Sequence, residues 1–150
     1  VRSRGLGDVY KRQEHPVTKI MHPLEDSDNY WISLKEASEY KMIMSGYDTI
    51  LGSFSRKMFT EQKLKYQSDH NDISAAMAVS MAREGLGIAF TYQSCAEEYE
   101  DIRYLRIGKK GVFLDLGIAY PADEYQSKGA KELEKVIREV YNNNEYFALA

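Results

Sequence analysis

The chain has 150 residues, 43% of them apolar and 29% charged, which is the composition of a globular domain and about the length of one. No apolar run approaches the ~20 residues a membrane helix needs, and no signal-peptide core opens the chain. The formal net charge is −3, and the single cysteine, Cys95, cannot form an internal disulfide, which excludes a disulfide-stapled miniprotein and suits a reducing cytoplasm.

Residues Val1–Gln13 read VRSRGLGDVYKRQ. The last six of them, Asp8 to Gln13, translate one frame of the mosaic-end DNA of transposon-based library preparation, GATGTGTATAAGAGACAG. Residues 1–13 are therefore expected to be a non-native, adapter-derived segment with few packing contacts, and 14–150 the native part of the chain. Setting that segment aside removes four basic residues and one acidic residue from totals of 20 and 23, leaving 16 against 22 and a charge of −6 on residues 14–150. Nucleic-acid binding draws much of its affinity from phosphate neutralisation, so direct DNA binding by this part is not expected.

In chain order, Val17–Met21 is a β-compatible run halted at His22-Pro23, and an acidic loop, 25–29, follows it. Ser33 and Glu36 have capping-box spacing, which predicts a short helix to about Tyr40. Lys41–Ser45 reads as a strand closed by Gly46. From Asp48 the spacing of Ile50, Leu51, Phe54, Met58 and Phe59 predicts an amphipathic helix. Leu64–Gln67 is a strand candidate that the polar stretch Ser68–Asp72 would end. Ile73–Glu84 follows as a helix with Ile73, Ala76, Met77 and Met81 on its apolar face, stopped by Gly85 as a left-handed cap.

Strand Gly87–Thr91 comes next, then a second capping-box spacing at Ser94 and Glu97 that predicts a short helix through Tyr99. Strands are expected at Ile102–Ile107 and Val112–Tyr120, joined by 108–111. Ser127 should cap a last helix whose Ala130, Leu133, Val136, Ile137, Val140 and Tyr141 form one broad apolar face and which 142–144 ends. Strands alternating with helices predict an α/β sheet, mostly parallel.

Several sharper readings fail on spacing. Gly85-Leu86-Gly87 lacks the third glycine and the Lys-Ser/Thr of nucleotide loops, and it ends a helix where those motifs begin one. A Cys95 nucleophile with His70 as base would need an activated thiolate, but Glu97, Glu98 and Glu100 surround it with negative charge, so an inert, partly buried thiol is expected. His15, His22 and His70 show no metal-ligand spacing, and 97–101 lacks the order of a calcium loop. The twelve tyrosines are scattered and read as ordinary half-buried residues. No acid, base or nucleophile set marks an enzyme, and no cofactor or metal is implied.

One polar group survives this weighing. Ser45, Gly46 and Tyr47 follow one strand and precede a helix, while Asn71, Asp72 and Ser74 flank the next such turn. Ligands of open α/β sheets sit beyond the carboxyl ends of strands, where helix N-termini offer free N–H groups. These six residues are the candidate ligand-binding set, with helix capping as the alternative role.

REGLGIAFT at Arg83–Thr91, with the helix before it, resembles the helix–GLGI–strand segment of LysR-type effector domains. His22-Pro23-Leu24, the passage Ile32–Ser45, the Gly46-Tyr47-Asp48 turn, Leu116–Tyr120 and the Ser127-capped helix resemble further family segments in the same order. The resemblance implies an α/β, type 2 periplasmic-binding-protein-like fold of two lobes around a ligand cleft. Residues 16–121 would supply most of the second lobe, and 127–141 a returning helix that packs on the first. It further implies a cytoplasmic LysR-type transcriptional regulator that senses a small organic effector, is a homo-oligomer when full length, and owes its DNA binding to an N-terminal helix-turn-helix outside this fragment. The alternatives are a transporter's solute-binding protein of the same fold, or a domain of this fold used in catalysis.

Overall fold

The computed structural model describes residues 2–3, 6–11, 15–25, 27–97, 99–115, 117–119 and 127–143. In chain order the strands and helices are β1 (Arg2–Ser3), β2 (Leu6–Lys11), β3 (His22–Pro23), β4 (Tyr30–Ile32), α1 (Leu34–Ala37), β5 (Lys41–Ser45), α2 (Ile50–Glu61), β6 (Gln67–Ile73), α3 (Ala75–Arg83), β7 (Ile88–Tyr92), β8 (Ile102–Ile107), β9 (Leu114–Asp115) and α4 (Lys128–Asn143). β1 pairs with β9, and the other seven strands form one sheet in the order β3-β4-β8-β2-β7-β5-β6. Five of these, β4, β8, β7, β5 and β6, run in one direction, and β2 and β3 oppose them.

Alternation along the strands decides the layering, because successive side chains leave opposite faces of a sheet. Met42 and Met44 of β5, Ile88 and Phe90 of β7, and Leu105 and Ile107 of β8 join Leu34, Leu51, Met58 and Phe59 of α1 and α2 in one buried cluster. The intervening Ile43, Ala89 and Ile102 meet Ala78 and Ala82 of α3 in a second. Helices thus cover both faces, the arrangement a parallel sheet requires. Phe59, 1% exposed, centres the first layer, its ring 4.6 Å from Tyr66 and 5.9 Å from Phe90.

Local signals hold at several boundaries. Ser33 and Glu36 form both halves of the capping box that opens α1, and β5 has the expected ends. Gly85 has φ of 81°, and the N–H of Leu86 donates to Met81 O at 3.1 Å, closing α3 with a Schellman-type turn. Ser127 Oγ accepts from the N–H of Ala130 at 3.1 Å, capping α4.

Other expectations are corrected. Residues 16–19 are a 3₁₀ turn and not a strand, since His15 Nδ1 accepts from the N–H of Val17 and Pro16 presets the first turn. α1 stops at Ala37, short of Tyr40. α2 buries Leu51, Met58 and Phe59 but leaves Ile50 72% exposed, because Ile50 lies in the first turn beyond the sheet's end. α3 turns its Ala78 and Ala82 face to the sheet, leaving Met77 exposed. Residues 75, 78, 79 and 82 satisfy helical spacing as well as the expected stripe does, and small side chains let the helix approach more closely. Gln93–Cys95 is a 3₁₀ turn without a side-chain cap, so the Ser94 box does not form. Within Val112–Tyr120 the strand among the described residues is Leu114–Asp115; Leu116 and Tyr120 lie outside them.

The expectation that residues 1–13 make few packing contacts is also corrected for the described residues 2–3 and 6–11, which pair as strands. β2 runs antiparallel between β7 and β8, with Asp8 opposite both Phe90 and Leu105. Those two strands point the same way one strand-width apart, and any β-compatible segment running back between them satisfies both ladders. Residues 12–14 lie outside the described residues. Removing residues 1–11 should lower the thermal midpoint by several degrees in a calorimetric scan. An unchanged midpoint would show that β7 and β8 do without that strand.

α4 keeps Leu133 60%, Val136 52% and Val140 52% exposed. Burying such side chains is worth roughly 1.5–3 kcal/mol each, so the face favours association. Sedimentation velocity should show concentration-dependent self-association that weakens in Leu133→Asp/Ile137→Asp; a sedimentation coefficient that stays monomeric at every concentration counts against it.

Candidate functional site

The parallel pairing of β5 and β6 sets Ser45 opposite Ile73, so both strands deliver their chains to helices at the same end of the sheet. Thr49 caps α2 by accepting from the N–H of Gly52 at 3.0 Å, and Ser74 caps α3 by accepting from the N–H of Met77 at 3.3 Å. Two helix N-termini, each a partial positive charge, thus open side by side.

The structure brings Ser45, Gly46, Asn71 and Asp72 together. Ser45 is 5% exposed at the end of β5. Asp72 Oδ1 and Asp48 Oδ1 lie 2.5 and 2.7 Å from the point that a Cβ on Gly46 would occupy, so a side chain there would make both carboxylates swing aside. Asn71 Nδ2 donates to Ser68 O at 3.2 Å. Ser74 lies at the same end, but its hydroxyl is engaged as the α3 cap. Tyr47, 69% exposed, projects from the turn, with the Arg56 guanidinium 3.7 Å from its ring centroid.

Asn71 and Asp72 were expected in a turn after a strand ending at Gln67. They lie inside β6, which runs from Gln67 to Ile73 through the polar stretch. β6 is the edge of the sheet, so its polar side chains reach water without leaving the ladder. Register shifts between Lys41, Ile43 and Ser45 accommodate the extra residues of β6.

Arg56 was missed by sequence reasoning. Its Nη1 donates to Ser45 O at 2.7 Å and to Gly52 O at 2.9 Å, and its Nη2 donates to Asn71 O at 2.7 Å. One guanidinium thereby ties the end of β5, the first turn of α2 and β6, while its Nε is buried without a hydrogen bond. The available signal was the series Gly52, Ser55 and Arg56, a small and polar strip at helical spacing beside the apolar one. Gly52 and Ser55 are buried in that strip.

The other candidates resolve simply. Cys95 is an exposed free thiol, not a partly buried one, because it rides on the uncapped turn after β7. His22 stacks on Trp31 at 4.4 Å and meets Glu36 Oε1 at 2.9 Å, a structural pairing. Among the described residues no cluster of His, Cys, Asp or Glu could hold a metal ion, and no helix is long and apolar enough to cross a membrane.

Arg56→Met keeps much of the stem volume but removes the donor that Ser45 O, Gly52 O and Asn71 O share, and should lower the unfolding free energy in urea by about 1–3 kcal/mol. Arg56→Lys, with a single point donor, should restore only part of it. Wild-type stability in Arg56→Met would mean that the bridge contributes nothing.

The family model for the LysR substrate binding domain matches residues 10–142. No curated protein sequence matches the chain significantly. Among solved structures, the effector binding domain of QuiR in complex with shikimate superposes with a TM-score of 0.67 at 16% identity, covering 95% of this chain and 63% of that one. The BenM effector binding domain with its effector benzoate gives 0.66 at 13%, covering 97% and 65%. The Synechocystis PCC6803 CcmR regulatory domain in complex with 2-PG gives 0.67 at 15%, covering 95% and 65%. The chain spans less than two thirds of each of these structures. The likeness at these identities is one of fold, the α/β, periplasmic-binding-protein-like fold of LysR effector-binding domains.

Proposed function

Since this chain belongs to the family of LysR substrate-binding domains, we propose that it senses a small organic effector for a LysR-type transcriptional regulator in the cytoplasm, and is not an enzyme. The observation that carries this reading is the juxtaposition of the β5–α2 and β6–α3 junctions, with Ser45 opposite Ile73. Such a junction offers polar side chains and helix N-termini at the carboxyl end of a sheet, where ligands of this fold class bind. Solved relatives carrying shikimate, benzoate and 2-PG give the ligand class, small organic molecules.

In this reading residues 16–121 form most of the second lobe of a two-lobed domain, and residues 127–141 return to the first. One polar end of the effector rests on Ser45, Gly46, Tyr47, Asn71, Asp72 and Ser74, and the remainder contacts the first lobe. Asp48 and Asp72 face the same point above Gly46, which disfavours a strongly anionic group there. Binding one lobe arrangement more tightly than the other shifts an attached DNA-binding oligomer between states, with no bond made or broken. DNA contact belongs to a helix-turn-helix outside this chain, since residues 14–150 carry a net charge of −6. Residues 1–13 are, on this reading, adapter-encoded even though part of them pairs in the sheet.

In the full-length regulator, Ser45→Ala and Asn71→Ala should each reduce the reporter response to effector about tenfold, the scale of one lost ligand hydrogen bond, with the thermal midpoint unchanged. A full response in both variants would sink the assignment.

A further inference from the structure

A cavity of about 690 Å³ lies between the first residues of β4 and β8 and the segment that follows β7, and none of Ser45, Gly46, Tyr47, Asn71, Asp72 and Ser74 lines it. Its size lies within the range of small-molecule sites, about 300–1,000 Å³. Ile102, 5% exposed, contributes to its lining together with the half-buried rings of Tyr30, Tyr99 and Tyr104. Asp28, Glu97 and Glu100 bring three carboxylates to the lining against Arg103 in the lining and Arg83 over the Tyr99 ring.

We propose that this cavity is a second binding site, which takes the guanidinium or alkylammonium group of an organic cation. The rings already act in this way toward the chain's own side chains. The Arg103 guanidinium lies 4.8 Å from the centroid of Tyr30, and that of Arg83 lies 4.3 Å from the centroid of Tyr99. An aromatic face attracts a positive charge through its quadrupole, and most strongly where water is partly excluded. Tyr104 is held by its hydroxyl, which donates to Glu97 O at 2.9 Å, and the hydroxyl of Tyr99 donates to the Glu97 carboxylate. These two bonds fix the positions of both rings and of one acid. Asp28 and Glu100 make no hydrogen bond or ion pair among the described residues, so their charge is available to a ligand.

The same inventory selects among cations and against anions. A phosphate or carboxylate would meet an excess of negative charge. A divalent metal needs several oxygens converging within bonding distance, and no such group exists among the described residues. Carboxylates spread around aromatic rings suit a larger, diffuse cation. Its source is either a free molecule or an arginine side chain of another protein.

The test titrates the chain calorimetrically with agmatine, with tetramethylammonium and with N-acetyl-arginine amide. Saturable binding of at least one is expected, weakened about tenfold by Asp28→Asn/Glu100→Gln and about two- to fivefold by Tyr104→Leu. The double carboxylate variant changes two exposed side chains and leaves the core alone, so its loss of binding would not be a loss of fold. Tighter binding of the arginine amide than of agmatine identifies a protein side chain as the source, and the reverse order a free cation. No saturable binding of any probe, or equal affinity in the carboxylate variant, overturns the proposal.

Discussion

The first turn of α2 meets the end of β5 backbone against backbone. A Cβ on Gly52 would lie 2.0 Å from Gly46 O and 2.5 Å from Ser45 O, so position 52 has room for a hydrogen and nothing more. That contact of backbone on backbone places Arg56, one turn later, within reach of Ser45 O and Asn71 O. Because Asn71 belongs to the neighbouring strand, the same guanidinium holds the β5–α2 junction against the edge of the sheet. The geometry of the candidate site follows from a missing side chain at one position and a long one at another.

The two faces of the sheet are packed by different means. Toward α1 and α2, methionines, phenylalanines and branched chains interdigitate, and each fully buried one is worth roughly 1.5–3 kcal/mol. Toward α3 the contact is made by Ala78 and Ala82 against Ala89 and Ile43, which lose little area each but bring the helix close. The second face therefore leaves Met77 in water, and Ile50 is exposed on the other helix of the pair. Both of these exposed apolar side chains lie in the first turns of their helices.

Much of this was legible in the sequence, where a local rule had no competitor. The capping box of Ser33 and Glu36, the glycine stop at Gly85 and the apolar run of β5 each admit one local structure. The ordered segments from His22 to the Ser127-capped helix were enough to identify the family. What could not be read was decided by partners distant in the chain. β6 continues through Ser68–Asp72 because it is an edge strand, a fact about topology and not about its own residues. The apolar stripe of α3 was ambiguous between two faces, and burial under β7 chose the alanines. β2 fills a gap between strands that are themselves more than seventy residues further along the chain. Arg56 could not be found by motif, since its three acceptors are main-chain carbonyls supplied by three different elements.

The exposed stripe on α4 has a kinetic consequence. A helix of 16 residues with little tertiary support has a stability near that of an isolated peptide, marginal in water. Its amides should therefore exchange with deuterated solvent through local opening, while those of β5 wait for global unfolding. Two tiers of protection are expected, and the lower tier belongs to α4, whose apolar face is largely in water among the described residues. Whatever covers that face raises the lower tier toward the upper, so the exchange rate of α4 is a direct gauge of its occupancy.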